Sequence, residues 1–285
     1  MVSALPERSG PARKRTGAGR HQRPPAVGGL AMALAAVPSL RPVAKAWARL
    51  GFEVSGVAEF GGCPSFSVTL KEEGVRFLAP PLDPEPSLLA QAVEDRLIAG
   101  AGLIGWSWAC DDIEESRQNI ERLSGRGFAT DKDGNKSRVV PWKLNPGAVT
   151  VLENTADRQC PEHPNAVTGI DHLVLTVSDA DAAARAYASN FGLSPKSKTM
   201  EERRYSFLKI GRSVVEIVGP VTPSPGPPNG RPWGLAFRCP DLDRTVSHIR
   251  KADVDMPEPH DALQGGRITS LPMHLGGIKI AFMGS

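Results

Sequence analysis

The sequence predicts an α+β fold in which four βαβββ modules pair into two cup-shaped domains of mixed sheet, with the helices outside and little helix inside either cup. Two observations support this prediction. The order of strand, helix and further strands recurs four times along the chain, and passages from the two halves align with each other. We therefore assign residues 1–26 to a disordered basic tail, 27–154 and 168–285 to the two domains, and 155–167 to the linker between them.

The first repeated passage is an apolar strand that enters a helix ending at a glycine. Residues 37–40 lead into a helical stretch that ends at Leu50-Gly51-Phe52, and residues 177–180 lead into one that ends at Phe191-Gly192-Leu193. Glycine is the residue that most readily adopts the left-handed conformation that closes a helix. The strand and helix boundaries of the two halves are therefore predicted to correspond.

The second repeated passage aligns residues 105–113 with residues 234–242. Cys110 coincides with Cys239, and Asp112 coincides with Asp241, with no gap between them. An amphipathic stretch follows each aspartate, so both aspartates are predicted to cap a helix N-terminus. Alternating strands follow the helices, at residues 53–60, 64–70, 74–79, 204–210, 213–218, 266–271 and 278–283.

Most of the net charge of +3 lies in the tail, where Arg and Lys recur between residues 8 and 23. The rest of the chain is close to neutral, which argues against nucleic acid as a partner. A basic stretch before the apolar residues 26–37, followed by Ala44-Lys45-Ala46, also has the order of a secretory signal. Its basic part is too long for such a signal and prolines interrupt the segment, so we expect a cytoplasmic protein. We also expect no membrane partner, and a monomer or homodimer.

The four cysteines, at positions 63, 110, 160 and 239, form no CxxC pair and no cluster with zinc spacing. We expect reduced and mostly buried thiols. We also expect no nucleotide cofactor.

Residues 169–177 (GIDHLVLTV), the helix end at Phe191-Gly192-Leu193 and residues 214–218 (VVEIV) carry a family likeness. Together they resemble the opening module of the vicinal-oxygen-chelate superfamily, which includes glyoxalase I, extradiol dioxygenases, methylmalonyl-CoA epimerase and the fosfomycin and bleomycin resistance proteins. The likeness is greatest to glyoxalase-like domains. It covers residues 168–285 well, and residues 27–154 only through the repeat.

The resemblance implies four positions that face into each cup, one on the first and one on the last strand of each module. In the second half these are His172, Glu216, Gly234 and Ala281. In the first half the repeat places them at Met32, Phe77, Gly105 and Val151. The first half therefore has no ligating side chain at these positions, and the second half keeps one imidazole and one carboxylate.

His172 and Glu216 are the predicted catalytic residues and the predicted metal ligands. Imidazole and carboxylate suit a divalent ion such as Zn, Ni, Mn or Fe, but a third ligand would have to come from His260 or His274. Without a metal, Glu216 would serve as general base while His172 orients or polarises the substrate. The structural alternative is a buried histidine that is satisfied by Glu216 across the sheet.

Strand alternation adds further candidates for substrate binding. Arg238 would face inward with Gly234, and Lys279 with Ala281, and two cations would suit an anionic substrate. Tyr205, Phe207 and Trp233 are placed to form an aromatic wall, although exposed charges and core aromatics are the ordinary alternatives.

Three functions remain open from the sequence. The first is a glyoxalase-like lyase or isomerase that acts on a small oxygen-rich metabolite. The second is a ring-cleaving dioxygenase, whose iron triad would need ligands at His172, Gly234 and Ala281, two of which cannot ligate. The third is a protein that binds a drug or metabolite without chemistry.

Removal of residues 1–25 is expected to leave the melting temperature unchanged, because a segment of this composition buries too little apolar surface to offset its chain entropy. Thermal unfolding of the truncated and full-length chains, followed by circular dichroism, measures this. A decrease of several degrees would show that the tail packs on the body.

Overall fold

The computed structural model describes residues 27–82, 87–125, 137–140, 147–156, 158–224, 230–262 and 265–284. The helices are α1 (Leu40–Arg49), α2 (Leu88–Ile98), α3 (Ile113–Ser124), α4 (Ala180–Phe191) and α5 (Leu242–Arg250). The strands of the first half are β1 (Gly29–Ala36), β2 (Ala58–Phe60), β3 (Cys63–Thr69), β4 (Gly74–Leu78), β5 (Gly102–Cys110), β6 (Ser137–Val140) and β7 (Val149–Asn154). Those of the second half are β8 (Gly169–Val177), β9 (Pro195–Met200), β10 (Arg203–Ile210), β11 (Ser213–Pro220), β12 (Gly230–Cys239), β13 (His260–Asp261), β14 (Arg267–Ser270) and β15 (Lys279–Gly284).

Each half forms one mixed sheet with the same internal symmetry. The first sheet has the order β2-β3-β4-β1-β5-β7-β6, and the second has the order β13-β14-β15-β12-β8-β11-β10-β9. In both, the opening strands of two modules pair antiparallel at the centre, and each pairs parallel with the last strand of its own module. The predicted α+β fold of four paired βαβββ modules is confirmed, with seven strands of the first sheet in the described residues rather than eight.

The helix ends follow the predicted local chemistry. The side chain of Asp112 accepts a hydrogen bond from the backbone N–H of Glu115, and that of Asp241 accepts one from Arg244. Gly192 closes α4 with φ of 70°, in the left-handed region that favours glycine. These caps satisfy backbone groups that the helices leave open. The corresponding helices α3 and α5 therefore begin alike, although α3 ends at the left-handed Gly125 and α5 at the right-handed Lys251.

The main apolar core is shared by the two halves. Trp106 of β5 lies 5.6 Å from Tyr187 of α4, and Trp108 lies 5.1 Å from Phe191, between ring centroids. All four side chains are fully buried, and they belong to a cluster that draws residues from both sheets. The segment 155–167 also contacts both halves: Asn165 donates to the carbonyl of Leu50 and accepts at its own carbonyl from Thr245.

The concave face of the first sheet is covered by α2, which corrects the expectation of little helix inside either cup. Leu89, Ala90 and Val93 of this helix pack in a second apolar cluster with inward-facing residues of the sheet, including Met32 and Val151. An apolar sheet face needs a covering layer, and in this half a helix supplies it. The first cup is therefore filled by the chain itself.

The prediction that Phe77 faces this cup is wrong by one residue. Phe77 lies in the shared core, stacked on Phe66 at 4.7 Å and against Trp47 of α1 at 5.1 Å. Strand alternation instead turns its neighbour Arg76 inward, where its guanidinium makes two hydrogen bonds to Glu153, of 2.9 and 3.1 Å.

Glu153 is the centre of a buried polar cluster that the sequence analysis missed. Ser107 donates to its carboxylate at 2.7 Å, and Arg158 contacts it at 3.5 Å. Burial alone would raise the pKa of the Glu153 carboxyl, but the charge and hydrogen bonds of Arg76, with Arg158 and Ser107, lower the pKa below its usual value. The alternation rule, applied two residues beyond Gly105 and Val151, would have found Ser107 and Glu153.

The cysteines are free, with Cys63, Cys110 and Cys239 buried and Cys160 exposed. Burial raises the pKa of Cys110 to about 11 and that of Cys239 to about 12, so both are protonated thiols at neutral pH. Within the described ranges, no helix has the length and apolar character needed to cross a membrane. The tail assigned to residues 1–26 lies outside the described residues, and the expectation of a cytoplasmic protein stays a prediction.

Arg76→Leu is expected to lower the free energy of unfolding by about 3–5 kcal/mol, because it removes the main positive charge that neutralises the buried Glu153 carboxylate. Denaturant unfolding measures this. The control is Arg49→Leu, since Arg49 makes a 3.4 Å pair with Asp253 on the surface, and its loss should cost less than about 1 kcal/mol.

In the wild type, the stability due to Glu153 is complete above the pKa of this carboxyl in the unfolded chain and is lost as the pH falls through its lowered folded pKa. A loss in Arg76→Leu no larger than that of the surface control would contradict a structural role for the cluster.

Candidate active site

The concave face of the second sheet is open and forms a cavity of about 610 Å³. The cavity is lined by residues from six strands of the sheet: His172, Val174, Thr176, Arg203, Tyr205, Glu216, Val218, Arg231, Trp233, Gly234, Leu235, Ala236, Ile268, Ser270, Lys279 and Ala281. All four positions predicted to face this cup are among them.

His172 lies on β8, the central strand of this sheet. Leu173 and Leu175 point into the shared core, and alternation therefore turns His172 and Val174 into the cavity. The imidazole Nδ1 is 3.0 Å from Oδ1 of Asp171, its neighbour in sequence. This hydrogen bond is the main reason that the pKa of the Asp171 carboxyl is lowered, with a further contribution from the charge of Arg238.

Glu216 lies on β11, which pairs parallel with β8, so its side chain projects beside that of His172. Val215 and Ile217 lie in the core, which leaves Glu216 on the cavity side. Both side chains are only about a tenth exposed, and Nε2 of His172 is 3.8 Å from Oε2 of Glu216. The structure therefore brings the two predicted catalytic residues together on the cavity wall.

The donor set falls short of a complete metal site. Gly234 and Ala281 face the cavity without ligating side chains, and His260 and His274 are exposed and outside its lining. The described ranges contain no group of three His, Cys, Asp or Glu side chains that could hold a metal ion. Since stable sites use three or four protein ligands, His172 and Glu216 alone do not fit a tightly bound metal.

The cavity carries more positive than negative charge. Three cations line it, Arg203, Arg231 and Lys279, against one carboxylate among the described lining residues. Lys279 also donates from Nζ to the carbonyl of Leu271 at 3.0 Å, which holds the ammonium group against the wall. The sequence analysis missed Arg203 and Arg231, although each lies two residues before an aromatic residue that it placed on the wall.

These aromatic residues are Tyr205 and Trp233, which line the cavity as expected, whereas Phe207, the third residue predicted for the wall, does not. Tyr205 is partly buried and packs parallel to Phe207 at 6.3 Å between ring centroids. Trp233 remains 46% exposed, which is high for a tryptophan that belongs to a folded sheet. Each therefore offers an apolar surface to a bound molecule.

Arg238 is not part of the cavity lining, in contrast to the prediction of a substrate contact. A guanidinium Nη2 donates to the carbonyls of Ile170 and Arg212, at 2.8 Å each. Arg238 lies on the same face of β12 as Gly234, as strand alternation predicts. Its position on the strand, however, is beyond His172 at the end of the cup, where it donates hydrogen bonds to backbone carbonyls.

Family models match both halves of the chain. One described as "Glyoxalase/Bleomycin resistance protein/Dioxygenase superfamily" matches residues 169–273, and one described as "Glyoxalase-like domain" matches residues 32–191, which is more than half of the chain. The chain belongs to the vicinal-oxygen-chelate superfamily. The superfamily assignment thus extends into the first half, where the sequence alone showed it only through the repeat. No curated protein sequence matches the chain significantly.

Two solved structures resemble most of the chain. A triple mutant of 4-hydroxymandelate synthase from Streptomyces coelicolor aligns with a TM-score of 0.62 and 16% identity, over 90% of this chain and 92% of that one. A fusion protein of a xylose isomerase-like TIM barrel and 4-hydroxyphenylpyruvate dioxygenase aligns with a TM-score of 0.62 and 14% identity, over 91% of this chain and 49% of that one. At these identities the likeness shows the shared fold.

Ala281→Glu is expected to increase the affinity for Zn²⁺ at least about tenfold, because it adds a third donor to the imidazole and carboxylate already in the cavity. Titration calorimetry with Zn²⁺ measures it. The control is Ala262→Glu, which adds the same charge outside the cavity lining. Tight, stoichiometric Zn²⁺ binding by the wild type would contradict the two-donor description.

Proposed function

We propose that the cavity of the second half is the active site of a glyoxalase-like lyase or isomerase. Its substrate is a small, oxygen-rich, anionic metabolite with an acidic C–H bond beside a carbonyl or carboxyl group. The observation that carries the proposal is a nearly buried imidazole and carboxylate 3.8 Å apart on the wall of an open, positively charged cavity.

The two side chains suit the two tasks of proton abstraction. The Glu216 carboxylate takes the proton of the C–H bond, and the electron pair of that bond moves into the adjacent carbonyl as an enolate. The imidazolium form of His172, which carries a hydrogen on both ring nitrogens, donates a hydrogen bond from Nε2 to the enolate oxygen, or gives it that proton. Return of the proton from Glu216 to carbon gives an isomer, and loss of a neighbouring group from the enolate gives an elimination product.

The surrounding charges support an anionic substrate. The three cations of the lining can hold a carboxylate while the reacting carbon lies near Glu216, and their fields also favour the enolate that forms. The exposed face of Trp233 and the ring of Tyr205 provide apolar contact at the same cavity. The positions of these side chains support binding and chemistry in one place.

The alternatives receive less support from the residues present. A ring-cleaving dioxygenase would need an iron held by three protein ligands, and two of the three positions are Gly234 and Ala281. A protein that only binds a metabolite would not need a carboxylate beside the imidazole. Measurement of proton exchange distinguishes such a protein from an enzyme.

Glu216→Gln is expected to reduce the catalysed reaction at least about a hundredfold, because it removes the general base but keeps the shape of the side chain. The measurement is deuterium uptake from D₂O into a panel of 2-oxo and 2-hydroxy acids, followed by proton NMR. Neutral amides of the same compounds should exchange more slowly, since they lack the charge that the cations hold.

The matched control is Glu59→Gln, on the exposed strand β2 of the first half, which should exchange at the wild-type rate. Phe77→Leu, in the shared core, should also alter the rate far less than Glu216→Gln. Binding of these acids by the wild type without any exchange would indicate a binding protein. Full activity in Glu216→Gln would show that the base is elsewhere.

A further inference from the structure

We propose that Asp171 is a positioning residue that orients the ring of His172, and that Arg238 and Glu73 hold the backbone around it. This inference deepens the proposed function, on which its catalytic part rests. It also gives the first half of the chain a part in the site of the second half, through Glu73.

A β-bulge makes the contact between Asp171 and His172 geometrically accessible. Along the antiparallel pair of β8 and β12, Ala236 pairs with His172, and the next residue, Phe237, pairs with Ile170. Asp171 is therefore the extra residue and has no partner on β12. In a regular strand, neighbouring side chains point to opposite faces, whereas a bulge redirects one of them. Here the Asp171 carboxylate reaches Nδ1 of the adjacent imidazole at 3.0 Å.

The contact decides which ring nitrogen is available to a substrate. A carboxylate accepts hydrogen bonds and donates none, so Nδ1 of His172 must carry the hydrogen in this pair. In the neutral ring, Nε2 then holds the lone pair, and it is this nitrogen that lies 3.8 Å from Glu216. A carboxylate behind a histidine fixes its tautomer and orientation in many catalytic and metal sites.

Arg238 fixes the end of the bulge by two hydrogen bonds to main-chain carbonyls. The carbonyl of Ile170 precedes Asp171 directly, and that of Arg212 lies in the turn between β10 and β11. The guanidinium charge also acts on the Asp171 carboxylate. Arg238 therefore ties β12 to the backbone next to Asp171, which explains an inward-facing arginine that does not line the cavity.

Glu73 extends the support from the first half. This side chain, in the turn between β3 and β4, is 2% exposed and accepts hydrogen bonds from the hydroxyl of Ser213 at 2.7 Å and from the backbone N–H of Ile170 at 3.3 Å. The carbonyl of Ile170 binds Arg238, and its N–H binds Glu73. Both backbone polar groups of Ile170, the residue before Asp171, are thus held by charged side chains.

The tautomer of His172 tests the positioning role directly. The probe is the wild type labelled with ¹⁵N-histidine, studied by long-range ¹H–¹⁵N NMR at a pH where the ring is neutral, and His172→Gln identifies the signals. We expect a protonated Nδ1 and an unprotonated Nε2 in the wild type. In Asp171→Ala the signals should move toward the tautomer with a protonated Nε2, and in the isosteric Asp171→Asn they should move less.

Catalysis provides the second measurement. In Asp171→Ala, kcat for deuterium uptake should fall by about ten- to a hundredfold with a smaller change in KM. The reason is that a misoriented imidazole ring impairs the chemical step more than it impairs substrate binding. The matched control is Asp181→Ala, whose carboxylate pairs with Arg204 at 3.0 Å outside the cavity lining. It should leave both the His172 signals and kcat unchanged.

The outcomes separate this inference from the proposed function. Unchanged His172 signals in both Asp171 variants would overturn the positioning role, whatever the activity. A shifted tautomer with unchanged kcat would overturn its catalytic part. If the wild type exchanges no proton with any compound of the panel, the proposed function fails, while the NMR signals still decide whether Asp171 orients His172.

Discussion

The antiparallel pairing of β8 with β12 is the contact on which the candidate site depends. It joins two modules at the centre of the second sheet and places His172 opposite Ala236, with β11 and β15 on either side. Parallel pairing of β11 with β8 then brings Glu216 beside the imidazole, and parallel pairing of β15 with β12 brings Ala281 to the same face. The irregularity of this central pair also turns Asp171 toward His172.

The concave face of the sheet is treated differently in the two halves: it is covered in the first and open in the second. A curved sheet with an apolar concave face must be covered, and the first half covers it with α2 and the buried ion cluster around Glu153. The second half leaves its face open to solvent and lines it with cations, an imidazole and a carboxylate. One topology therefore supports a filled layer in one half and a cavity in the other, which agrees with the general rule that function lies in the site and not in the fold.

The filled half still acts on the open one through the surface that they share. The core that contains Trp106, Trp108 and the aromatic residues of α4 sets the distance between the two sheets. Across this junction, Glu73 accepts a hydrogen bond from the backbone N–H of Ile170, the residue before Asp171. Under the proposed function, the first half stabilises the geometry of the second without contacting substrate.

The sequence by itself determined the modular fold, the two aspartate caps and the four inward positions of the second half, because these depend on local patterns: strand alternation, helix termini and an internal repeat. Only the tertiary structure decided that Phe77 lies in the core and Arg76 in the cup, since a shift of one residue reverses every side chain of a strand. It also decided that α2 fills the first cup and that Arg238 binds main-chain carbonyls. Such contacts join residues far apart in the chain, and no local pattern encodes them. The bulge that brings Asp171 to His172 belongs to the same class, because it exists only in the register between two strands.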